Sequence, residues 1–257
     1  DLSVGAMMLL VTMVVGVLAG HVGLPGALAL LIGIGTGAGC GFVNGLLVAQ
    51  VRLPPFIVTL GTLNVFIAVA LLMSGGRSVP GAALGDFLTF TNAFFPIGPF
   101  HMTMGALLVI VMYLGVGFAL SETAWGRHVY AVGDDASAAR LAGIQVRRLL
   151  ISVYTLAGVI VAMSAWVLIG RVGAATTSSA VDANLDSITA VVIGGTSLFG
   201  GSGTMFGTVV GVFIPVVLAQ GLIIVNVQSF WQQVVIGAIL IIAVYFDQLR
   251  RRTRSRR

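Results

Sequence analysis

Charge is what this sequence has least of. It contains no lysine, charged residues make up 8% of its 257 positions, and residues 187–246 hold neither an acid nor a base. Soluble domains carry about 25% charged residues. Hydrophobic residues make up 58% of the chain, and the mean hydropathy is +1.10. The composition excludes a water-soluble domain and predicts an integral membrane protein.

The apolar runs also lack the polar–apolar alternation that the strands of a membrane barrel show over about 10 residues. Helices are the expected spanning elements, so the predicted fold class is an all-α polytopic membrane protein. Windows of about 20 apolar residues mark a bundle of about eight helices. The spans are 3–20, 28–50, 57–74, 103–120, 150–170, 186–199, 204–224 and 230–247. We assign 1–249 to one transmembrane domain and 250–257 to a basic tail.

Other absences narrow the function. Cys40 is the only cysteine, so an intrachain disulfide is excluded and the residue is interpreted as a packing residue. Residues 2–20 lack the basic region and the cleavage site of a signal peptide. The sequence begins at Asp1 without a methionine, so a further N-terminal segment is expected before it.

Without lysine the chain cannot form the Gly-Lys-Ser/Thr loop that binds nucleotide phosphates. The run "GIGTGAGCG" resembles a dinucleotide loop only superficially, because neither a strand before it nor an acidic partner after it is present. The chain therefore cannot drive transport with its own ATP hydrolysis by that route. We assign it no catalytic residue, no metal ligand and no cofactor.

The distribution of arginine predicts the orientation. If the tail is cytoplasmic, alternating spans place the loop 121–149 and the turn at Arg52 on the same side. Of the 13 arginines, only Arg77 and Arg171 then lie outside, as the positive-inside rule requires. The tail arginines fit anionic lipid better than nucleic acid. We therefore expect a multi-pass protein of the bacterial cytoplasmic (inner) membrane with a cytoplasmic C-terminus.

The arginine distribution also predicts the path of the segment 186–199, which is short enough to be re-entrant. Both basic regions that flank the last spans must lie inside, so an even number of crossings joins them. The segments 150–170, 204–224 and 230–247 supply three. The short segment is therefore predicted to cross as well, inside the bundle and away from thick lipid.

Glycine is abundant in the runs that lack charge. Two stretches repeat it every four residues, which gives a flat helix face and lets backbones approach closely. We predict helix packing at Gly33, Gly37, Gly41, Gly45, Gly203, Gly207 and Gly211. The pair Gly194–Gly195 interrupts the short span. Interrupted spans often expose backbone to a substrate path, although tight packing explains this pair equally well.

Ionisable residues are lacking at membrane depth, which argues against a proton- or sodium-coupled carrier. The polar residues within the third span are neutral, and they suit a neutral solute rich in hydroxyl groups. Candidates for the translocation path are Thr59, Thr62, Asn64, Gly194 and Gly195. Interhelical hydrogen bonding is the alternative role for each polar side chain among them.

The inside loop 121–149 is longer than a connection between bundle helices needs. Within it, "GDDASAARLAGI" predicts a short helix that Asp134 or Asp135 caps and Gly143 ends. Such a helix can dock on another subunit, or it can lie in the lipid headgroups. The candidate docking residues are Asp134, Asp135, Ala138, Ala139, Arg140, Leu141 and Gly143.

Four motifs are similar to one transporter family and occur in its order along the whole chain. They are "DLSVG" at 1–5, "LPPFIVTLGTL" at 53–63, "GRHVYAVGDDASAARLAGIQVRR" at 126–148 and "AVVIGGTSLFGGSGTMFGTVVG" at 190–211. The chain resembles the permease subunit of ribose-type sugar ABC importers. This chain departs from the family at two places. It has Gly-Asp-Asp at 133–135, where the family often has Gly-Gly-Asn, and Asn-Leu-Asp at 184–186, where the family often has Glu-Leu-Asp.

The resemblance implies about ten helices in the full-length subunit, two of them before "DLSVG". It implies a second permease subunit in a homo- or heterodimer, a cytoplasmic ATPase that receives the loop helix, and an extracytoplasmic sugar-binding protein. The resulting hypothesis is a non-catalytic transport subunit that alternates access while a partner hydrolyses ATP. The alternative is a stand-alone secondary carrier or facilitator for a neutral solute. The motifs leave open which sugar, pentose or hexose, is carried.

Overall fold

A computed structural model describes residues 1–97, 100–178, 183–198 and 200–228, together with positions 231, 234, 235, 237 and 238. Its helices are α1 (Val4–Gly20), α2 (Gly26–Ala49), α3 (Pro55–Ser74), α4 (Asp86–Thr89), α5 (Met104–Glu122), α6 (Ala124–Asp134), α7 (Ala136–Leu141), α8 (Val146–Val172), α9 (Ala183–Ile193) and α10 (Met205–Ile224). Its strands are β1 (Val79–Pro80), β2 (Phe94–Ile97), β3 (Phe100–Thr103) and β4 (Ala174–Ala175).

The helical prediction is confirmed, since every predicted span up to residue 224 overlaps a helix. Among the described residues, α2, α3, α5, α8 and α10 are long and apolar enough to cross a membrane. The predicted span 230–247, apart from a few positions, and the basic tail 250–257 lie outside the described residues. The short antiparallel pairs β1–β4 and β2–β3 were not predicted, because strands of two to four residues carry too little periodicity to be recognised.

The short segment differs from its prediction in its bounds. The helix α9 has 11 residues, which at a rise of 1.5 Å per residue cover only about half of a hydrocarbon core of about 30 Å. The turn Gly194–Gly195 follows it directly. A crossing at this point therefore needs non-helical backbone before or after α9, and such backbone is tolerated only inside protein or beside a water-filled cavity.

The chain divides into two compact units, and the first comprises residues 1–119 and 145–184. Its centre is α1, where Met7, Val11, Met13 and Val15 are almost completely buried. This helix is apolar on every side, as expected of a helix surrounded by others. The helices α2, α3 and α8 pack around it.

Polar side chains of the first unit meet at the start of α1. The Asn44 amide donates a hydrogen bond to the Ser3 hydroxyl at 2.8 Å, and that hydroxyl donates to the Asp1 carboxylate at 2.7 Å. The Asn184 side-chain oxygen accepts a hydrogen bond from the backbone N–H of Gly5. Asn184 replaces the glutamate frequent in the related motif, and here it satisfies a donor that α1 cannot pair internally.

The second unit comprises residues 120–144 and those from 185 onward. It contains α6, α7, α10 and α9 from Leu185 onward. The helices α6 and α7 pack against each other and are joined through Asp135, whose N–H donates to the Ala131 carbonyl at 3.1 Å. The cytoplasmic loop predicted at 121–149 is therefore mostly helical rather than a long irregular connection.

Candidate functional site

The two threonines of α3 use their hydroxyl groups within their own helix. Thr59 donates to the Pro55 carbonyl at 2.9 Å and Thr62 to the Val58 carbonyl at 3.1 Å. Thr59 is buried and Thr62 is half-buried. A hydroxyl bonded in this way is satisfied without a ligand, so the structure gives both residues a local partner in addition to any role in a path.

Asn64 has a different environment, because it lies on the exposed side of α3 near the middle of the helix. Its amide nitrogen donates to the Leu60 carbonyl at 3.1 Å. Gly61, one turn earlier on this side, would have no described atom within 4 Å of an added Cβ. A polar side chain at mid-membrane normally faces a bundle interior or a water-filled cavity. Of the three polar candidates on α3, Asn64 is the one whose side chain is exposed.

Gly194 and Gly195, in the second unit, have different structural roles. Gly194 packs tightly on α10, where an added Cβ would meet the carbonyl carbon of Gly207 at 2.6 Å. Gly195 has a φ of +83° and faces open space, so it forms the turn that ends α9. Both glycines belong to a different unit from the polar candidates of α3.

The four-spaced glycines Gly203, Gly207 and Gly211, of which the last two belong to α10, lie along α9 and the turn that follows it. An added Cβ on Gly203 would meet the Thr196 hydroxyl at 2.6 Å, and one on Gly211 would meet the Gly194 nitrogen at 2.6 Å. Gly207, between them, contacts the Gly194 carbonyl oxygen. The backbones of the two helices therefore approach without intervening side chains.

The glycine stripe of α2 faces two neighbours in the first unit. Gly33 lies against the Val15 side chain of α1. The next three glycines face α8, and they pair Gly37 with Gly158, Gly41 with Tyr154, and Gly45 with Ile151. In all three the opposing atoms include backbone, which cannot rotate aside as a side chain can.

Asp135 caps the loop helix α7. Its carboxylate accepts hydrogen bonds from the backbone N–H groups of Ser137 at 2.7 Å and Ala138 at 3.0 Å. These two bonds lower the pKa of Asp135 below its ordinary value, because they favour the charged form. Gly143 follows α7 with a φ of +87°, and its N–H donates to the Arg140 carbonyl at 3.0 Å.

The exposed surface of α7 lacks Ala139, one of the residues that the sequence predicted for docking. Ala139 is 5% exposed, whereas Leu141 is 91% exposed. Ala138 and Arg140 are also exposed. A partner can therefore reach Ala138, Arg140 and Leu141, and Ala139 instead packs inside this chain. Sequence reasoning could not make this distinction, because a helix of six residues has no clear periodicity.

Helix α6 was not predicted, although its start carries a signal. The Thr123 hydroxyl accepts the N–H of Gly126 at 3.2 Å, as a helix N-cap does. On α6, the Tyr130 hydroxyl donates to the Gly203 carbonyl oxygen at 3.1 Å. This helix thus connects the loop to the turn between α9 and α10, inside the second unit.

Apolar helices packed through glycine, a short helix that ends at a glycine pair and a structured loop define a polytopic membrane protein. A family model described as the branched-chain amino acid transport system permease component matches residues 1–244. The chain belongs to this permease family. A permease component is the non-catalytic part of a larger transport system, so the chain acts together with other subunits.

Curated relatives match along most of the chain. The fructose import permease protein of Rhizobium meliloti is 44% identical over 251 residues, which are 96% of this chain and 70% of that protein. The ribose import permease protein of Bacillus subtilis is 36% identical over 250 residues, 96% of this chain and 76% of the relative. The galactose/methyl galactoside import permease protein of Escherichia coli is 35% identical over 230 residues, 88% of this chain and 68% of the relative. No solved structure matches the chain.

These relatives are import permeases for sugars, which confirms the predicted resemblance. They fit the importer subunit and not the stand-alone carrier. The multi-pass membrane location follows from the family and from the apolar helices.

Proposed function

We propose that this chain is the membrane-spanning permease subunit of an ATP-driven ABC importer for a monosaccharide. The observation that carries the proposal is the 44% identity to a fructose import permease over 96% of the chain. The chain would work with a cytoplasmic ATPase, an extracytoplasmic sugar-binding protein and a second permease subunit. With the orientation that the arginines favour, α6, α7 and the C-terminus face the cytoplasm.

The proposed path uses the exposed side of α3, where Asn64 offers an amide to sugar hydroxyl groups. A neutral amide both donates and accepts hydrogen bonds, so it can bind and release a hydrated sugar without a change of charge. Gly61 leaves space beside it. Gly195 is a second candidate, because it lies in the turn that ends α9 and faces open space.

The proposed contact with the ATPase is the exposed surface of α7, formed by Ala138, Arg140 and Leu141. Leu141 is an apolar side chain that is 91% exposed on a helix of six residues. So short a helix is not stable by propensity alone. A groove on the ATPase would cover Leu141 and hold the helix.

The test is reconstitution of the full-length subunit with its ATPase and binding protein in liposomes. We expect ATP-dependent uptake of labelled fructose, ribose or galactose, and no uptake of leucine, which is included because the family description names branched-chain amino acids. Uptake of leucine but of no sugar would contradict the proposed substrate class. Sugar uptake that does not require ATP would contradict the proposed mechanism.

The path is tested in the same liposomes with Asn64→Ala and the matched variant Thr59→Val. We expect Asn64→Ala to lower sugar uptake by about 5- to 30-fold, the range for loss of one polar contact of about 1–2 kcal/mol. Thr59→Val should change uptake much less, because the Thr59 hydroxyl is already bonded to Pro55. Equal uptake by Asn64→Ala and the wild type would remove Asn64 from the path.

A further inference from the structure

Helices α6 and α7 belong to the same compact unit as a part of the chain that is distant in sequence. Residues 120–144 form one compact unit with the residues from 185 onward. Motion of α7 can therefore reach α10 and most of α9 within this one unit. The contacts inside this unit show by which route.

The first contact is a hydrogen bond. The Tyr130 hydroxyl donates to the carbonyl oxygen of Gly203 at 3.1 Å. Gly203 lies in the turn that joins α9 to α10. Its carbonyl has no side chain of its own to shield it, so Tyr130 supplies a directional link between α6 and this turn.

The second contact is backbone against backbone. A Cβ on Gly133, near the end of α6, would lie 2.6 Å from the Gly201 nitrogen. A Cβ on Gly200 would lie 3.1 Å from the Gly133 Cα, and one on Gly201 would lie 2.9 Å from the Asp134 Cα. Gly200 and Gly201 have φ values of +95° and +76°, which favour glycine over other residues. The turn therefore follows the surface of α6 with no side chain between them.

Hydrogen bonds and glycine contacts also hold this turn to the two helices that it joins, α9 and α10. The Ser197 N–H donates to the Ser202 carbonyl at 2.9 Å, which closes the turn. The Thr204 hydroxyl accepts the Gly207 N–H at 3.0 Å and caps α10. Because Gly207 and Gly211 also pack on α9, the turn and both helices can move as one body.

The other end of α6 is fixed to α7. Asp134 ends α6 and Ala136 begins α7, so only Asp135 separates them. Asp135 bonds to both, through its N–H to Ala131 and through its carboxylate to Ser137 and Ala138. The connection contains no flexible linker.

We propose that α6 is a transmission element which carries displacement of α7 to the turn 200–203, and through that turn to α9 and α10. Tyr130 and Gly133 are its positioning residues. The proposal rests on the proposed function, in which α7 contacts the ATPase. It adds that the short helix α9 and its partner α10 are the membrane elements that receive the motion.

The test compares Tyr130→Phe with Tyr113→Phe, and Gly133→Ala with Gly115→Ala. The Tyr113 hydroxyl makes no hydrogen bond to another described residue, and no described atom lies within 4 Å of a Cβ on Gly115. In the reconstituted importer we expect Tyr130→Phe to lower the sugar imported per ATP hydrolysed by about 2- to 10-fold, as expected for one lost hydrogen bond. Co-purification of the ATPase should be unchanged, which a merely unfolded subunit would not show.

A second measurement uses the isolated full-length chain and does not depend on transport. In hydrogen–deuterium exchange, residues 196–204 should exchange faster in Tyr130→Phe than in Tyr113→Phe. Should the wild-type importer fail to transport sugar, the proposed function fails while this exchange result still tests the contact. Unchanged exchange, or an unchanged ratio of sugar to ATP in Tyr130→Phe and Gly133→Ala, would overturn the role of α6.

Discussion

Gly37 of α2 and Gly158 of α8 face each other so closely that a Cβ on either one would collide with the carbonyl oxygen of the other. The two backbones are in direct contact at this crossing. Since lipid tails offer helices no hydrophobic reason to associate, close packing of this kind is a main source of their affinity. The pair therefore identifies a position at which the first unit is sensitive to added volume.

The first prediction concerns this pair. Gly37→Ala should destabilise the subunit by about 1–3 kcal/mol or more, because overpacking is relieved only by moving backbone. Gly39→Ala is the matched control, since no described atom lies within 4 Å of a Cβ there. The measurement is the midpoint of thermal unfolding in detergent. Equal midpoints for the two variants would show that α2 and α8 are not in contact at Gly37.

The second prediction concerns the packing of α10 on α9. Gly207→Leu should strongly lower the yield of folded, detergent-stable subunit, because the side chain would occupy the position of the Gly194 backbone. Gly221→Leu on the same helix should be tolerated, since no described atom lies within 4 Å of a Cβ at Gly221. Size-exclusion chromatography measures both yields. A normal yield of Gly207→Leu would mean that this face of α10 is free.

The third prediction separates the exposed and buried faces of α7. Leu141→Asp should leave folding intact and lower co-purification of the ATPase, because it places a charge where an apolar contact is proposed. Ala139→Trp should instead lower the stability of the isolated chain, since Ala139 is 5% exposed. Pull-down yield and thermal unfolding distinguish the two effects. A Leu141→Asp variant that retains its ATPase would place the contact elsewhere.

The fourth prediction concerns the cap of α7. Asp135→Ala should reduce sugar uptake, whereas Asp135→Asn should keep most of it, because asparagine is an equally good N-cap. The folded pKa of Asp135 lies below its ordinary value of 3.8. The cap is therefore fully formed above the ordinary value and is lost only as the pH falls through the lower one. Uptake should not depend on Asp135 titration between about pH 5 and 8. Loss of uptake in Asp135→Asn would show that charge rather than capping is required.

The fifth prediction concerns energy supply. The purified subunit alone should neither bind nor hydrolyse ATP, because the sequence lacks the lysine of a phosphate loop. Nucleotide binding and phosphate release measured on the chain free of its ATPase provide the check. Saturable turnover by that preparation would contradict the assignment.

The sequence alone predicted the features that depend on residues close together in the chain. Membrane location follows from composition, and the long apolar helices up to residue 224 follow from the lengths of the apolar runs. The sequence predicted a cap at Asp134 or Asp135 before an alanine-rich stretch, and the structure assigns it to Asp135. The four motifs identified the family, which the comparison with sugar permeases confirmed. Helix α6 escaped prediction because it is amphipathic and follows α5 almost directly, so hydropathy merges it with the loop.

What the tertiary structure alone decided is which side of each helix is covered. Thr59 and Asn64 are both polar residues of α3, and Ala139 and Leu141 are both apolar residues of α7. One member of each pair is buried and the other is exposed. The sequence also gives no sign that Tyr130 meets Gly203, because the two lie 73 positions apart. Local composition and periodicity determine that a helix forms, whereas burial and such distant contacts depend on residues brought together only by folding.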